Sequence, residues 1–292
     1  MTEQSWTVTG PQTIEVDDVT SLHAHVVDGR LDVVAHEEPV TRVEVHSVDG
    51  RPVEVAFRGG RLVVGHESNP SGGLAGFLKK WTDVAVGAAR ADIHIAVPAR
   101  VDVKVGTVRG EALLSGTEGA AKVSTASGNL LVSRTRGPLT LANVSGDATV
   151  RDHTGSINST TVSGDVVLSG AVDHLTSTTV SGDVTMDLTS QPEWIKANTV
   201  SGNLLLRVPD ESALEVHSSA VSGRISVGGM QVSGRGGAVV RPASEGRTHL
   251  RVSSVSGDVT VLGADQAAAD DTAGPARRPA ASGDTPATPG FA

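Results

Sequence analysis

Val144-Ser145-Gly146-Asp147, Val162-Ser163-Gly164-Asp165 and Val180-Ser181-Gly182-Asp183 are one tetrapeptide written three times, 18 residues apart. Variants stand at Ala126-Ser127-Gly128-Asn129, Val200-Ser201-Gly202-Asn203, Val221-Ser222-Gly223-Arg224 and Val255-Ser256-Gly257-Asp258. Glycines fall at 110, 128, 146, 164 and 182 and then relax to 202 and 223, while Gly119, Gly137 and Gly155 mark half-steps of nine. A fixed short period is the mark of a repeat architecture, whose units cannot bury their own apolar face and must stack on a neighbour.

Within one repeat, Val144, Gly146, Ala148 and Val150 share one parity, while Ser145, Asp147 and Thr149 share the other. On a strand these sets face opposite ways, so the first is expected inside and the second in water. Val162, Val166 and Leu168 repeat the inward set, as do Val180, Val184 and Met186. The later coils continue with Val200, Leu204 and Leu206, with Val221, Ile225 and Val227, and finally with Val255, Val259 and Val261. A second strand per repeat is carried by Leu139 and Leu141, Ile157, Leu175 and Ile195. Its odd parity places a turn near Asn143, Thr161, Thr179 and Thr199. Eighteen residues at about 3.3 Å each give a contour of roughly 60 Å, room for two short strands and two turns. The expectation is an all-β protein built on a parallel β-solenoid of about 18-residue coils. The nine-residue sub-period favours a right-handed or flattened two-sided roll over a triangular helix.

Residues 5–106 read as antiparallel β. Val26-Val27-Asp28-Gly29-Arg30-Leu31-Asp32-Val33-Val34 carries Asp-Gly between alternating apolar runs, a hairpin signal. Val48-Asp49-Gly50-Arg51 and Arg58-Gly59-Gly60-Arg61 mark two more turns. Ile93, Ile95 and Val97, closed by Pro98, lead into the first coil. Three regions follow from this: 1–98, an antiparallel part that caps the open edge of the solenoid; 99–263, the repeat domain; and 264–292, an Ala- and Pro-rich tail expected to be disordered. Between Gly223 and Leu250 the repeat loosens into a glycine-rich excursion before Leu250-Arg251-Val252 opens the last coil.

The 292 residues hold ample length for a core, and with aromatics at 2% that core must be stacked Val, Leu and Ile. A net charge of −9 with no basic run argues against nucleic acid as a partner. The absence of Cys removes disulfides, thiolate nucleophiles and zinc thiolate sites. Met1-Thr2-Glu3-Gln4-Ser5 has neither the basic nor the apolar segment of a signal peptide, and no run reaches membrane-spanning length, so a cytoplasmic location is expected.

Asp147, Asp165 and Asp183 are expected as an outward column about 4.8 Å apart, flanked by Asn129 and Asn203. Three chemistries fit such a column. Neighbouring carboxylates can act as acid and base on a glycan, a separation near 5 Å suiting a retaining pair. A nine-residue period also invites a calcium roll, although the paired glycines of that repeat are missing. The third is turn chemistry and solubility alone, since repulsion at this spacing in water is only about 1 kcal/mol per pair. The glycan reading lacks an aromatic platform on which a sugar could stack. His23 and His25 lie on one face of a strand, a possible metal pair without a third ligand. His153, His174 and His217 fall out of phase with the repeat and read as solvated turn residues. Outward Ser and Thr hint at an ice-binding array, but Val167 and Leu205 interrupt the Thr149 and Thr185 row. Leu74, Phe77, Leu78 and Trp81 fall at helical spacing beside Lys79 and Lys80. This stretch is either a docking element for a membrane surface or partner, or a loop helix folded onto the N-terminal sheet.

The Ser-Gly-Asp-Val-Thr-like repeats, the segment Val97-Pro98-Ala99-Arg100-Val101-Asp102-Val103, and Leu250 to Val259 together resemble a bacterial β-strand-repeat family of unknown function whose members are labelled "putative adhesin". The similarity runs over approximately residues 5–263. It implies a β-solenoid fold and, for some relatives, a link to the cell envelope or to envelope stress, and it carries over no catalytic residues. The expectation is a non-enzymatic scaffold, without cofactor or metal, that presents a polar face to an unidentified protein partner. Its rivals are a glycan-active β-helix enzyme and a calcium-binding roll. The sequence does not specify an oligomeric state.

Overall fold

The computed structural model describes residues 3–66, 89–227, 230–233, 236–240 and 248–263. The stretch with Leu74, Phe77, Leu78 and Trp81 and the tail 264–292 lie outside the described residues. The protein is all-β. Among the described residues one hydrogen-bonded network joins 22 strands, and the one helical element is a 3-10 turn at Glu211–Ala213.

The N-terminal strands are β1 (Glu3–Val8), β2 (Gln12–Val16), β3 (Ser21–His36), β4 (Thr41–Gly50), β5 (Val53–Arg58), β6 (Arg61–Gly65) and β7 (Ala89–Pro98). The repeat region carries β8 (Asp102–Ser115), β9 (Ala121–Ser127), β10 (Leu130–Ser133), β11 (Leu139–Ser145), β12 (Ala148–Ser163), β13 (Val166–Ser181), β14 (Val184–Leu188), β15 (Trp194–Ser201) and β16 (Leu204–Val208). The last six are β17 (Leu214–Ser222), β18 (Arg224–Val227), β19 (Met230–Ser233), β20 (Gly236–Val240), β21 (Thr248–Ser256) and β22 (Val259–Gly263).

Coils stack in parallel at the expected step. Leu139 pairs with Ile157 and Ile157 with Leu175, and on the other side of the coil Leu130 pairs with Ala148 and Ala148 with Val166. Leu139, Ile157, Leu175, Ile195 and Leu250 fill one inner row, and Val150, Leu168, Met186, Leu206 and Val261 fill the other. Burying such a side chain is worth about 1.5–3 kcal/mol, and the rows run from coil to coil without a break.

The valine of the repeated tetrapeptide does not belong to that core. Val162, Val180, Val200, Val221 and Val255 are 40–58% exposed, whereas Thr161, Thr179, Thr199 and Ser254 before them are buried. The expected turn near Thr161 is not there: β12 continues to Ser163, so the odd parity set by Ile157 persists through Ser159 and Thr161. The chain turns instead at Gly164-Asp165. Two residues of this row bond across the corner, Thr107 Oγ1 donating to Gly110 O at 3.4 Å and Asn143 Nδ2 to Gly146 O, whereas the hydroxyls of Thr161, Thr179, Thr199 and Ser254 are buried without a partner.

Gly164 shows why glycine holds that corner. Its φ is +118°, and a Cβ there would stand 2.1 Å from the carbonyl oxygen of Gly146 on the coil beneath. Neither an inward side chain nor ordinary crowding is at issue; the two backbones touch.

Gly29 belongs to the same column, which corrects the N-terminal reading. β3 does not reverse at Asp28-Gly29 but keeps its parallel pairing with β8 on both sides of them, from Ser21↔Asp102 to Val34↔Ser115. Gly29 lies against the Ala91 carbonyl, and Gly110 against that of Gly29. The Asp-Gly pair is therefore a coil corner, and the N-terminal region contributes a coil of its own. β3 also pairs in parallel with β6 and with β7, against the antiparallel expectation, and among the described residues of this region only the pairings β1–β5, β2–β4, β4–β7 and β5–β6 are antiparallel as expected. Arg58-Gly59-Gly60-Arg61 is a true hairpin, closing β5 on β6.

The last coil in sequence is not the last in space. β21 lies between β15 and β17, and β22 between β16 and β18. The coil of residues 248–263 thus sits between two coils that precede it in the chain. β19 and β20 then pair antiparallel on the outer sides of β18 and β17.

Candidate interaction face

The corner builds a column. Asn129, Asp147, Asp165, Asp183, Asn203 and Asp258 are all exposed and follow one another from coil to coil. Each Oδ1 accepts the backbone N–H of the equivalent residue on the next coil. Asp147 N–H donates to Asn129 at 3.2 Å, Asp165 N–H to Asp147 at 3.0 Å and Asp183 N–H to Asp165 at 2.9 Å. Asn203 N–H donates to Asp183 at 2.7 Å, Asp258 N–H to Asn203 at 3.1 Å and Arg224 N–H to Asp258 at 2.8 Å. An amide that the corner removes from the β-ladder thereby gains an acceptor, which is why Asp or Asn recurs after Gly. At the other end Arg30 N–H donates to Asp92 Oδ1 at 3.1 Å, so the device outlasts the Ser-Gly-Asp motif. Among the described residues no three His, Asp or Glu side chains are grouped to hold a metal ion.

The exposed valines and the exposed Ser163, Ser181, Ser201, Ser222 and Ser256 run beside this column. The repeated tetrapeptide is thus a ridge of three parallel rows, apolar, hydroxyl, and a polar row of Asp and Asn that ends at Arg224. Sequence parity missed the apolar row because it placed those valines in the core.

The histidines divide. His25 Nε2 is held by the backbone carbonyl of His66, and burial pushes the His25 pKa down, so the ring is committed within the fold and does not form a free pair with His23. His153 is 1% exposed, with Nδ1 2.9 Å from Thr135 Oγ1. That overturns its reading as a solvated turn residue: it takes the interior position of Thr135 one coil away. Burial lowers its pKa, against opposing hydrogen bonds to the backbone of Ser156, Gly137 and Thr135 and the charge of Asp173. His174 and His217 are exposed as expected, though both lie on strands. His174 faces Asp173 and Glu193 at 3.7 and 3.6 Å, and His217 faces Glu215 at 3.3 Å.

An aromatic row also emerges that the sequence did not reveal. The register aligns His174, Trp194, His249 and Glu215 across β13, β15, β21 and β17. Trp194 is 38% exposed, and its ring centroid lies 5.9 Å from that of His249. The only signal available was Trp194 itself; its partner lies 55 residues away on the inserted coil.

With this geometry in view, comparison with known proteins places the repeat region. Residues 160–262 match the Toastrack DUF4097 family. The match runs from the last four residues of β12 to β22, so it takes in the inserted coil and the ridge from Val162 onward. It bears out the resemblance to a family of unknown function over that segment. No curated protein matches the chain. Among solved structures, a "putative lipid binding protein" from Parabacteroides distasonis is 12% identical, covering 87% of this chain and 97% of its own, with a TM-score of 0.48. A "putative adhesin" from Bacteroides fragilis is 11% identical over 89% and 97% of the two chains, with a TM-score of 0.38. A "putative cell adhesion protein" from Clostridium sporogenes is 11% identical over 86% and 98%, with a TM-score of 0.29.

Proposed function

We infer that this protein is a non-enzymatic β-solenoid, a flattened roll of 18-residue coils whose ridge docks a protein partner. In this reading residues 99–263 are the body, residues 1–98 cap its N-terminal edge and supply its first coil through β3, and the protein works in the cytoplasm with a link to the envelope. The observation that carries it is the ridge itself. Five exposed valines stand in register beside five serines and the residues Asp165, Asp183, Asn203, Asp258 and Arg224, and Asn129 and Asp147 extend the polar column onto the two preceding coils. Contiguous exposed apolar side chains rimmed by polar ones mark interaction surfaces. The carboxylates already accept backbone N–H groups, which suits a structural and recognition role better than acid–base work on a glycan.

The test is a crosslinked pull-down of tagged protein from its own host, with membrane and soluble fractions read separately. Val180→Glu with Val200→Glu leaves the core untouched and is expected to abolish capture of the partner that the wild type recovers. Equal recovery by both proteins would remove the ridge from consideration. Turnover of a polysaccharide that disappears with Asp165→Asn would replace the scaffold reading with the enzyme.

A further inference from the structure

The inserted coil brings together a six-residue grid. On β15 the outward residues are Trp194, Lys196 and Asn198, and on β21 they are His249, Arg251 and Ser253. The register pairs them Trp194↔His249, Lys196↔Arg251 and Asn198↔Ser253. Adjacent strands lie about 4.8 Å apart and same-face residues about 7 Å apart along a strand, so three kinds of side chain line up as successive rows: rings, cations, and amide with hydroxyl.

The middle row is the anomaly. Like charges directly opposite one another on neighbouring strands destabilise a sheet. Lys196 and Arg251 have no ion-pair or hydrogen-bond partner among the described side chains, in a chain with 33 acidic and 24 basic residues. The nearby carboxylates turn to the imidazoles instead: Glu215 lies 3.0 Å from His249 Nδ1 and 3.3 Å from His217 Nε2, and Glu193 lies 3.6 Å from His174 Nε2. An anion bound across the middle row would relieve the repulsion. The rings beside it supply the apolar, polarisable surface on which the C–H face of a sugar packs, and the amide and hydroxyl beyond it suit sugar hydroxyls.

We propose that this grid binds an acidic glycan, with a pyranose on Trp194 and His249, its carboxylate or sulfate on Lys196 and Arg251, and neighbouring hydroxyls on Asn198 and Ser253. A peptide strand fits less well. The grid lies on the flat of the sheet, where β15 and β21 are each paired on both sides and the backbone has no free edge to offer an added strand. The site is separate from the protein-docking ridge and stands or falls without it.

Native electrophoresis through gels containing polygalacturonate, with dextran as the neutral control, tests the assignment. Retardation is expected in polygalacturonate alone. Lys196→Gln with Arg251→Gln and, separately, Trp194→Ala are each expected to weaken it by about tenfold or more, while Lys196→Arg retains it. All four are exposed-surface changes, and unaltered thermal melts would establish that each variant is folded. Retardation that survives Trp194→Ala would reveal simple ion exchange and overturn the proposal. So would the absence of retardation, or binding to phosphatidylglycerol vesicles without binding to polygalacturonate. None of these outcomes touches the pull-down result for the ridge.

Discussion

Replacing Gly164 by alanine should open the coil stack at one corner. The added Cβ would lie 2.1 Å from Gly146 O and 2.7 Å from Gly146 C, whereas real Cβ atoms essentially never come within 3.0 Å of such neighbours. Relief therefore needs a local separation of 0.9 Å, the difference between 3.0 and 2.1 Å. The coils are only about 4.8 Å apart. Such an opening stretches the bond from Asp165 N–H to Asp147 Oδ1, now 3.0 Å, and that from Ala148 N–H to Asp165 O, now 2.9 Å, past useful length. Two lost bonds at about 1 kcal/mol each, with about 1–2 kcal/mol for an alanine at positive φ, give roughly 3–4 kcal/mol. Two other glycines serve as controls. Gly59 also has a positive φ, +57°, but nothing lies within 4 Å of its Cβ position, so Gly59→Ala should cost about 1 kcal/mol. Gly10 has neither constraint, and Gly10→Ala should fall within about 0.5 kcal/mol of wild type. Urea unfolding followed by circular dichroism measures all three, and hydrogen exchange locates the damage, expected at Gly146–Val150 and Gly164–Leu168. A Gly164→Ala midpoint equal to that of Gly59→Ala would refute the close-contact argument and leave glycine needed only for its backbone angle.

The Thr179 hydroxyl is buried without a hydrogen-bond partner, so the near-isosteric Thr179→Val should raise stability by about 1 kcal/mol in the same urea assay. Burial depresses the folded-state pKa of His153 below its unfolded value of about 6.5. Its contribution is therefore complete above pH 6.5 and is lost as pH falls from there toward the folded pKa, because the unfolded chain binds the proton first. His153→Asn should flatten the stability–pH curve across that window, and an unchanged slope between pH 7 and 5 would assign the acid sensitivity to other groups such as His25. Deleting residues from 248 onward should strip exchange protection from both Ile195–Ser201 and Leu214–Ser222, since the inserted coil pairs with each. Protection retained at Leu214–Ser222 would place that coil at the end of the stack.

The step of the coils, the inner rows and the acidic column could be read from the sequence because each rests on a local periodicity. Two features could not be read correctly, for different physical reasons. The valines were placed inside because apolar side chains usually are, yet parity along a strand follows from where the chain turns, and that is set by the backbone. The odd parity of Leu139 and Leu141 runs on unbroken to Asn143, and Thr or Asn recurs at 107, 125, 143, 161, 179 and 199. That polar row, read as continuous with the strand, was the signal for the corner at glycine. Gly29 misled by the same route: Asp-Gly with positive φ suits a hairpin and a coil corner equally, and only the parallel register with β8 distinguishes them.

The inserted coil is illegible for a deeper reason. Each corner offers its neighbour the same groups: a glycine with no Cβ, a carbonyl to lie against it, and an Asp or Asn oxygen for the next N–H. Gly202, Gly257 and Gly223 stack in that order although their numbers do not, and Asn203, Asp258 and Arg224 hand on the same hydrogen bond. Interchangeable edges leave the pairing order to the connections. The 20 residues from Gly228 to Arg247 are enough to return the chain across a coil, where a tight link would have forced stacking in sequence. Trp194 and His249, and with them the cation pair, are neighbours because of that return. The local repeat therefore encodes the stack, while the connection that carries β19 and β20 encodes which surface the stack displays.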